Sequence, residues 1–157
     1  MSSQLYSDLL AQSRALTEGE PDLIANLANI SALLYEHIED INWLGFYLTR
    51  SDNELVLGPF QGRVACVRIP FGQGVCGVAA ETQTCQRVED VHQFAGHIAC
   101  DSASNSEVVA PIVVNGKTVA VLDVDRPSVG RFSEEDAKAI QAIADYCQTL
   151  NWQGLQS

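Results

Sequence analysis

Apolar residues recur along the first third of the chain with a helical period. Leu5, Leu9 and Leu16 mark a first amphipathic helix that should end near Gly19. Leu23, Leu27, Ile30, Leu34 and Ile38 then follow at intervals of four, three, four and four, one continuous apolar stripe. That spacing predicts a second helix with one buried face, opened by Pro21, whose missing N–H costs nothing in a first turn.

The period then changes. "INWLGFYLTR" and "ELVLGPF" flank the turn-forming "SDN" and predict two paired strands. "VACVRI" predicts a third, stopped by Pro70. "GVCGVAAETQ" reads as one or two helical turns and "CQRVED" as a short strand. "EVVAPIVVNGKTVAVLDVD" predicts a hairpin, with Asn115-Gly116 supplying the two positive-φ residues of a tight type I′ turn. In "FSEEDAKAIQAIADYCQTL", Ser133 is the expected N-cap, acids fill the first turn, and Ile140, Ile143, Ala144, Cys147 and Leu150 share one face. The fold class is therefore α+β: about six mostly antiparallel strands, with the terminal helices on one sheet face and loops over a ligand pocket on the other. With no repeat or linker, residues 1–157 are expected to form a single domain.

Composition narrows the partners. Hydrophobic residues make up 46% of 157, enough for a real core. The net charge is -11 and the nine basic residues are scattered, so nucleic acid and membrane surfaces are poor partners. The opening "MSSQLYSDLL" lacks a basic segment followed by an apolar run, and a cytoplasmic location is expected. Five cysteines, Cys66, Cys76, Cys85, Cys100 and Cys147, are then reduced thiols by default rather than a disulfide framework.

Two features suggest a site. Alternation along "VAVLDVD" puts Val119, Val121, Asp123 and Asp125 on one face and Ala120, Leu122 and Val124 on the other. Two carboxylates about 6–7 Å apart beside valines cannot both ionise cheaply, so one becomes a general acid or a receptor for an ammonium group. If the strand ends at Asp123, both acids are merely solvated. On "NWLGFY", Trp43 and Tyr47 share a face with Gly45 between them, either as core or as a cleft floored by backbone. The "GQGVCG" at Gly72, Gly74 and Gly77 matches the dinucleotide fingerprint in letters but lacks the βαβ unit it needs; its glycines suit a tight loop instead. His92 and His97 have four residues between them in the manner of an H-x₄-H pair, but no C-x-x-C accompanies them, and no metal site is expected.

"GPFQGRVACVRIPFGQGVCGVAA", "VEDVHQFAGHIACDSASNSEVV" and "VLDVDRP", with "INWLGFYL" and "GRFSEED", closely resemble the free methionine-(R)-sulfoxide reductases, a branch of the GAF-domain fold. The resemblance runs from the second helix to the last. It implies that Cys66, Cys76 and Cys100 are the family's three catalytic cysteines. Cys100 would be the nucleophile, attacking the sulfur of the R-sulfoxide and passing to a sulfenic acid as methionine is released. Cys66 would resolve that acid as a disulfide, the oxygen being lost as water, and thioredoxin would reduce the disulfide; no bound cofactor is implied. Cys76 would be a subsidiary thiol. Glu107, Asp123 and Asp125 match the family's acidic site residues, one to protonate the sulfoxide and another to take the substrate ammonium, while Trp43 and Tyr47 match its aromatic wall. A disulfide requires Cα atoms within about 7 Å, so the loop of Cys100 would fold over the strand bearing Cys66.

Cys147 is expected in the core and Cys85 partly exposed, neither with a role. Helices at both termini could pair two subunits as a homodimer. Two other functions compete: a non-catalytic GAF sensor binding a small molecule in the same pocket, and a thiol hydrolase using His97 and Cys100, which would need no reductant.

Overall fold

The structure, a computed structural model, describes residues 2–51, 53–96, 104–130 and 132–156. Helix α1 (Ser3–Thr17) is N-capped by Ser2, and α2 (Leu23–His37) by Asp22, whose side chain accepts from the Ala25 N–H. Pro21 thus lies outside α2 rather than opening it. Strands β1 (Trp43–Ser51) and β2 (Glu54–Gly62) lead to a short β3 (Arg68–Pro70), helix α3 (Gly74–Thr82), β4 (Gln86–Val88), the hairpin β5 (Ser106–Val114) and β6 (Lys117–Arg126), and α4 (Glu134–Cys147). The six strands form one antiparallel sheet in the order β3-β2-β1-β6-β5-β4.

Helices α1, α2 and α4 cover one sheet face. Leu27, Ile30 and Leu34 of α2 and Ile140, Ile143 and Cys147 of α4 pack there on Leu44, Phe46, Leu48, Ala110, Ile112 and Leu122. Ser133 and Asp136 form a reciprocal capping box that starts α4. The buried face of α1 differs from the leucine stripe: it runs through Tyr6, Leu9, Ser13 and Thr17, while Leu16 is exposed. Hydroxyl groups decide this. Tyr6 donates to Asp136 at 3.1 Å and Thr17 pairs with the Tyr146 hydroxyl at 2.5 Å, so polar contacts to α4 orient the helix.

A second apolar cluster lies on the opposite face, where Trp43, Tyr47, Val109 and Val121 meet Val75, Cys76, Ala79 and Ala80 of α3. Two departures from the sequence pattern shape it. "VACVRI" is mostly loop: β3 pairs only Glu54–Val56, and residues 63–67 span from the end of β2 back to it. Aromatic side chains, not a ladder, satisfy that loop: Trp43 Nε1 donates to the Arg63 carbonyl and the Tyr47 hydroxyl to the Cys66 carbonyl, each at 3.1 Å. Cys66 therefore sits on a loop, not a strand. In the hairpin, Asn115 and Gly116 adopt φ of 53° and 78°, as a type I′ turn requires. A register shift between Ile112 and Val113 then leaves Val119 without a partner. This bulge removes Val119 from the face of Val121, and it packs against the helical side.

Candidate functional site

Strand β6 continues through Asp123 and Asp125 to Arg126, so neither acid lies beyond its end. Both are buried, at 5% and 6% exposure, on the face opposite the terminal helices. Glu107 of β5 pairs directly with Asp125, and Gly45 of β1 with Asp123. Cross-strand partners share a face, which brings the three carboxyl groups to one cavity. Trp43, Tyr47, Ala65, Ile69, Gln73, Gly74, Val75, Cys76, Val91 and Ser104 complete its lining.

The aromatic wall is a three-ring stack. Trp43 lies between Tyr47 and Phe60, with ring centroids 5.8 and 5.2 Å away. Phe60 fills the space over Gly45, where any side chain would overlap its Cβ. Trp43 and Tyr47 stack on each other, so the gap between them is not an open cleft, and these two rings line the cavity. Phe60 leaves little trace in the sequence, because it lies on β2 and reaches the stack only through its pairing with Gly45.

The glycine motif is structural. Gly72 has φ of 85°, and a side chain on Gly77 would press within 2.5 Å of the Pro70 carbonyl. The turn from β3 into α3 is tight enough to carry Cys76, in the first turn of α3, under the sheet. Its Sγ donates to Asp123 Oδ2 at 3.4 Å.

Electrostatics favour the protonated form at Asp123 and Cys76. Burial, followed by the nearby Asp125, Cys76 and Glu107, holds the Asp123 carboxyl well above the usual carboxylate range. Burial and the acids Glu107 and Asp125 also push the Cys76 thiol well up, although its hydrogen bond to Asp123 opposes them. Tyr47 is raised by burial and by the same acidic groups. The buried Asp123 Oδ1 accepts no hydrogen bond from a described N–H or O–H group, while a side-chain hydrogen bond with Glu107 favours the protonated Asp123. Ligand atoms of Cys76, Glu107 and Asp123 lie within 4.8 Å of one another, close enough to surround a cation. A thiol held protonated is a poor metal ligand. The arrangement instead suits a proton donor beside a receptor for an organic ammonium group.

Cys66 lies at the edge of the second apolar cluster and is disulfide-bonded. Cys76, Cys85 and Cys147 are free. Cys147 is buried in the helical core, its thiol pushed up to about 12 by burial, and Cys85 is half-buried with a pKa raised mainly by burial. His97 and Cys100 lie outside the described residues. His92 instead pairs with the Asn105 side chain at 2.9 Å.

Comparison with known proteins matches this geometry. The GAF domain model covers residues 13–149. The free methionine-R-sulfoxide reductase of Escherichia coli is 55% identical over 141 residues, covering 90% of this chain and 85% of that protein. The chain belongs to the free methionine-R-sulfoxide reductase family. Among solved structures, the Neisseria meningitidis free methionine-R-sulfoxide reductase in complex with its substrate superposes with a TM-score of 0.91 at 40% identity, over 99% of this chain and 95% of that one. The fRMsr of Staphylococcus aureus in complex with substrate gives 0.87 at 48% identity, over 93% and 95%. The family's fold accounts for the curled antiparallel sheet with helices on one face. Among the described residues no helix is long and apolar enough to cross a membrane.

Proposed function

We propose that this chain is an oxidoreductase that converts free methionine-(R)-sulfoxide to methionine, with Cys100 as nucleophile, Cys66 as resolving thiol and thioredoxin as cytoplasmic reductant. The observation that carries the reading is the pairing of a disulfide-bonded Cys66 with a cavity that holds three carboxyl groups and an aromatic stack.

The chemistry needs each part. Sulfoxide oxygen leaves poorly until it is protonated, and a carboxyl kept neutral by burial can supply that proton. Asp123 is the carboxyl whose surroundings, including a side-chain hydrogen bond with Glu107, favour the neutral form that can donate. The Cys100 thiolate attacks the sulfoxide sulfur as the proton reaches the oxygen. The S–O bond breaks, methionine leaves with its sulfur reduced, and the oxygen remains on Cys100 as a sulfenic acid. The Cys66 thiol then attacks that sulfur, water departs, and a disulfide forms. In sum, one sulfoxide and two thiols become methionine, a disulfide and water. The other two acids, Glu107 and Asp125, take the substrate ammonium, which restricts the site to the free amino acid. The Trp43–Tyr47 stack receives the thioether end. Cys76, protonated and bonded to Asp123, is a subsidiary thiol that can exchange with the pair.

The test is thioredoxin-coupled NADPH oxidation with separate R and S epimers of free methionine sulfoxide. The expected result is turnover of the R epimer only, abolished in Cys100→Ser and limited to about one turnover in Cys66→Ser. Absence of turnover by the folded wild type would leave a binding module, and R-epimer reduction that ignores Cys66 would overturn the resolving step.

A further inference from the structure

We infer that the loop 63–67 and its neighbour Arg68 form the docking surface for the protein dithiol that reduces the Cys66 disulfide. The inference rests on the reductase reading for the disulfide's purpose, but the surface is defined by its own residues. Val64 and Val67, 89% and 59% exposed, are the most exposed large apolar side chains among the described residues. They stand two residues before and one residue after the half-buried Cys66. Isolated exposed valines are ordinary, but two that flank a disulfide-bonded cysteine on one short loop make that loop an apolar surface.

The loop is held in this attitude. Trp43 Nε1 and the Tyr47 hydroxyl bond the carbonyls of Arg63 and Cys66, and the Leu57 N–H bonds that of Val67 at 2.9 Å. Ala65 points inward to line the cavity. With its carbonyls and one small side chain committed inward, the loop presents its valines outward as a preformed surface, at little ordering cost to a partner.

Charge selects the partner. In a chain of net charge -11 with nine basic residues, "RVACVR" carries two of them and no acid. Arg63 is exposed, and Arg68, although bonded to Glu54 at 2.9 Å, keeps 62% of its side chain in solvent. A basic, apolar-centred patch on an otherwise acidic protein fits a dithiol protein whose reactive thiol is ringed by apolar side chains and whose rim is acidic, the chemistry of a thioredoxin. One thiolate of the partner attacks Cys66 Sγ. An intermolecular disulfide forms as the existing S–S bond breaks, and the displaced sulfur departs as a thiolate and takes a proton. The partner's second thiol then attacks the partner sulfur of the mixed disulfide and frees Cys66 as a thiol, so two electrons and two protons pass to the chain.

The experiment uses the oxidised full-length chain without sulfoxide, so it does not depend on turnover. The rate of its reduction by reduced thioredoxin is compared with the rate by dithiothreitol, for wild type and a Val64→Asp/Val67→Asp variant. The expected result is a loss of at least tenfold with thioredoxin and a change within twofold with dithiothreitol. A thioredoxin rate within twofold of wild type overturns the inference, and so does a parallel fall with both reductants. A thioredoxin lacking its second active-site cysteine should be trapped as a mixed disulfide on Cys66; trapping on any other cysteine also overturns it. Failure of the reductase reading shows separately, as absent R-epimer turnover in a chain whose disulfide thioredoxin still reduces.

Discussion

Replacing Asp123 with asparagine should stabilise the protein while disabling it, and the gain should grow with pH. The substitution is close to isosteric. Asp123 Oδ2 accepts from the Cys76 thiol, a bond an amide oxygen can keep. Oδ1 accepts nothing among the described residues, and an NH₂ group there can still donate to Glu107, with which the protonated carboxyl shares a hydrogen bond. In the unfolded chain the Asp123 carboxyl ionises near pH 3.9. In the folded protein burial and then Asp125, Cys76 and Glu107 hold it well above that range. A group whose folded pKa is raised contributes stability that is fully present below the unfolded value and is lost as pH climbs toward the folded one. Over that window the wild type loses up to about 1.4 kcal/mol per pH unit through this one proton.

Asparagine does not titrate, so the variant escapes that loss. Above the unfolded pKa, while the folded carboxyl stays protonated, its advantage should widen by up to about 1.4 kcal/mol per pH unit, or about 3–6 °C in Tm for a domain of this size. At pH 3, where Asp123 is protonated in both states, the two proteins should melt within about 1 °C of each other. Thermal melts of the oxidised protein across this range, read by circular dichroism, provide the comparison. R-epimer reduction should fall by at least about 10²-fold, the usual scale for losing a general acid. A Tm difference independent of pH, or one that reverses sign at pH 7, would refute the assignment of a protonated carboxyl to Asp123. A wild-type slope that survives intact in the variant would move the proton to Glu107 or Asp125.

Two further predictions concern the scaffold. Burial acts to raise the Asp136 pKa, but its hydrogen bonds from Ser133 and Tyr6 bring it below the normal value; that stability is present above the unfolded pKa and is lost as pH falls through the folded one, so Asp136→Asn should cost about 2–4 kcal/mol at pH 7 and show a flatter acid limb in urea titrations. Gly45→Ala should cost about 1–3 kcal/mol or more in urea unfolding, because its Cβ would overlap Phe60 and press on the Pro59 carbonyl within paired strands that cannot separate.

The strand period made the pairing of Asp123 with Asp125 and of Trp43 with Tyr47 legible, since alternation depends only on local backbone geometry. The α2 stripe and the Asn115-Gly116 turn were legible for the same reason. What local pattern could not supply is how elements meet. Glu107 came from family resemblance, and simple counting would have misplaced it. Paired back from the turn without interruption, Glu107 would stand opposite Val124, on the helical face. The bulge at Val119 advances the register by one residue and sets Glu107 opposite Asp125 instead. A one-residue shift reverses the face of every side chain beyond it. The third carboxyl of the site therefore depends on a backbone irregularity distant from the chemistry. The loop bearing Cys66 follows the same logic. Its residues have strand propensity, yet Tyr47 and Trp43 take its carbonyls and hold it out of the ladder. A cysteine within a ladder would be hard to reach; on this loop Cys66 is half-buried between exposed valines while Tyr47 joins the loop to the cavity wall. Trp43 and Tyr47 thus have two tasks: they form one wall of the cavity, and they fix the loop that carries Cys66.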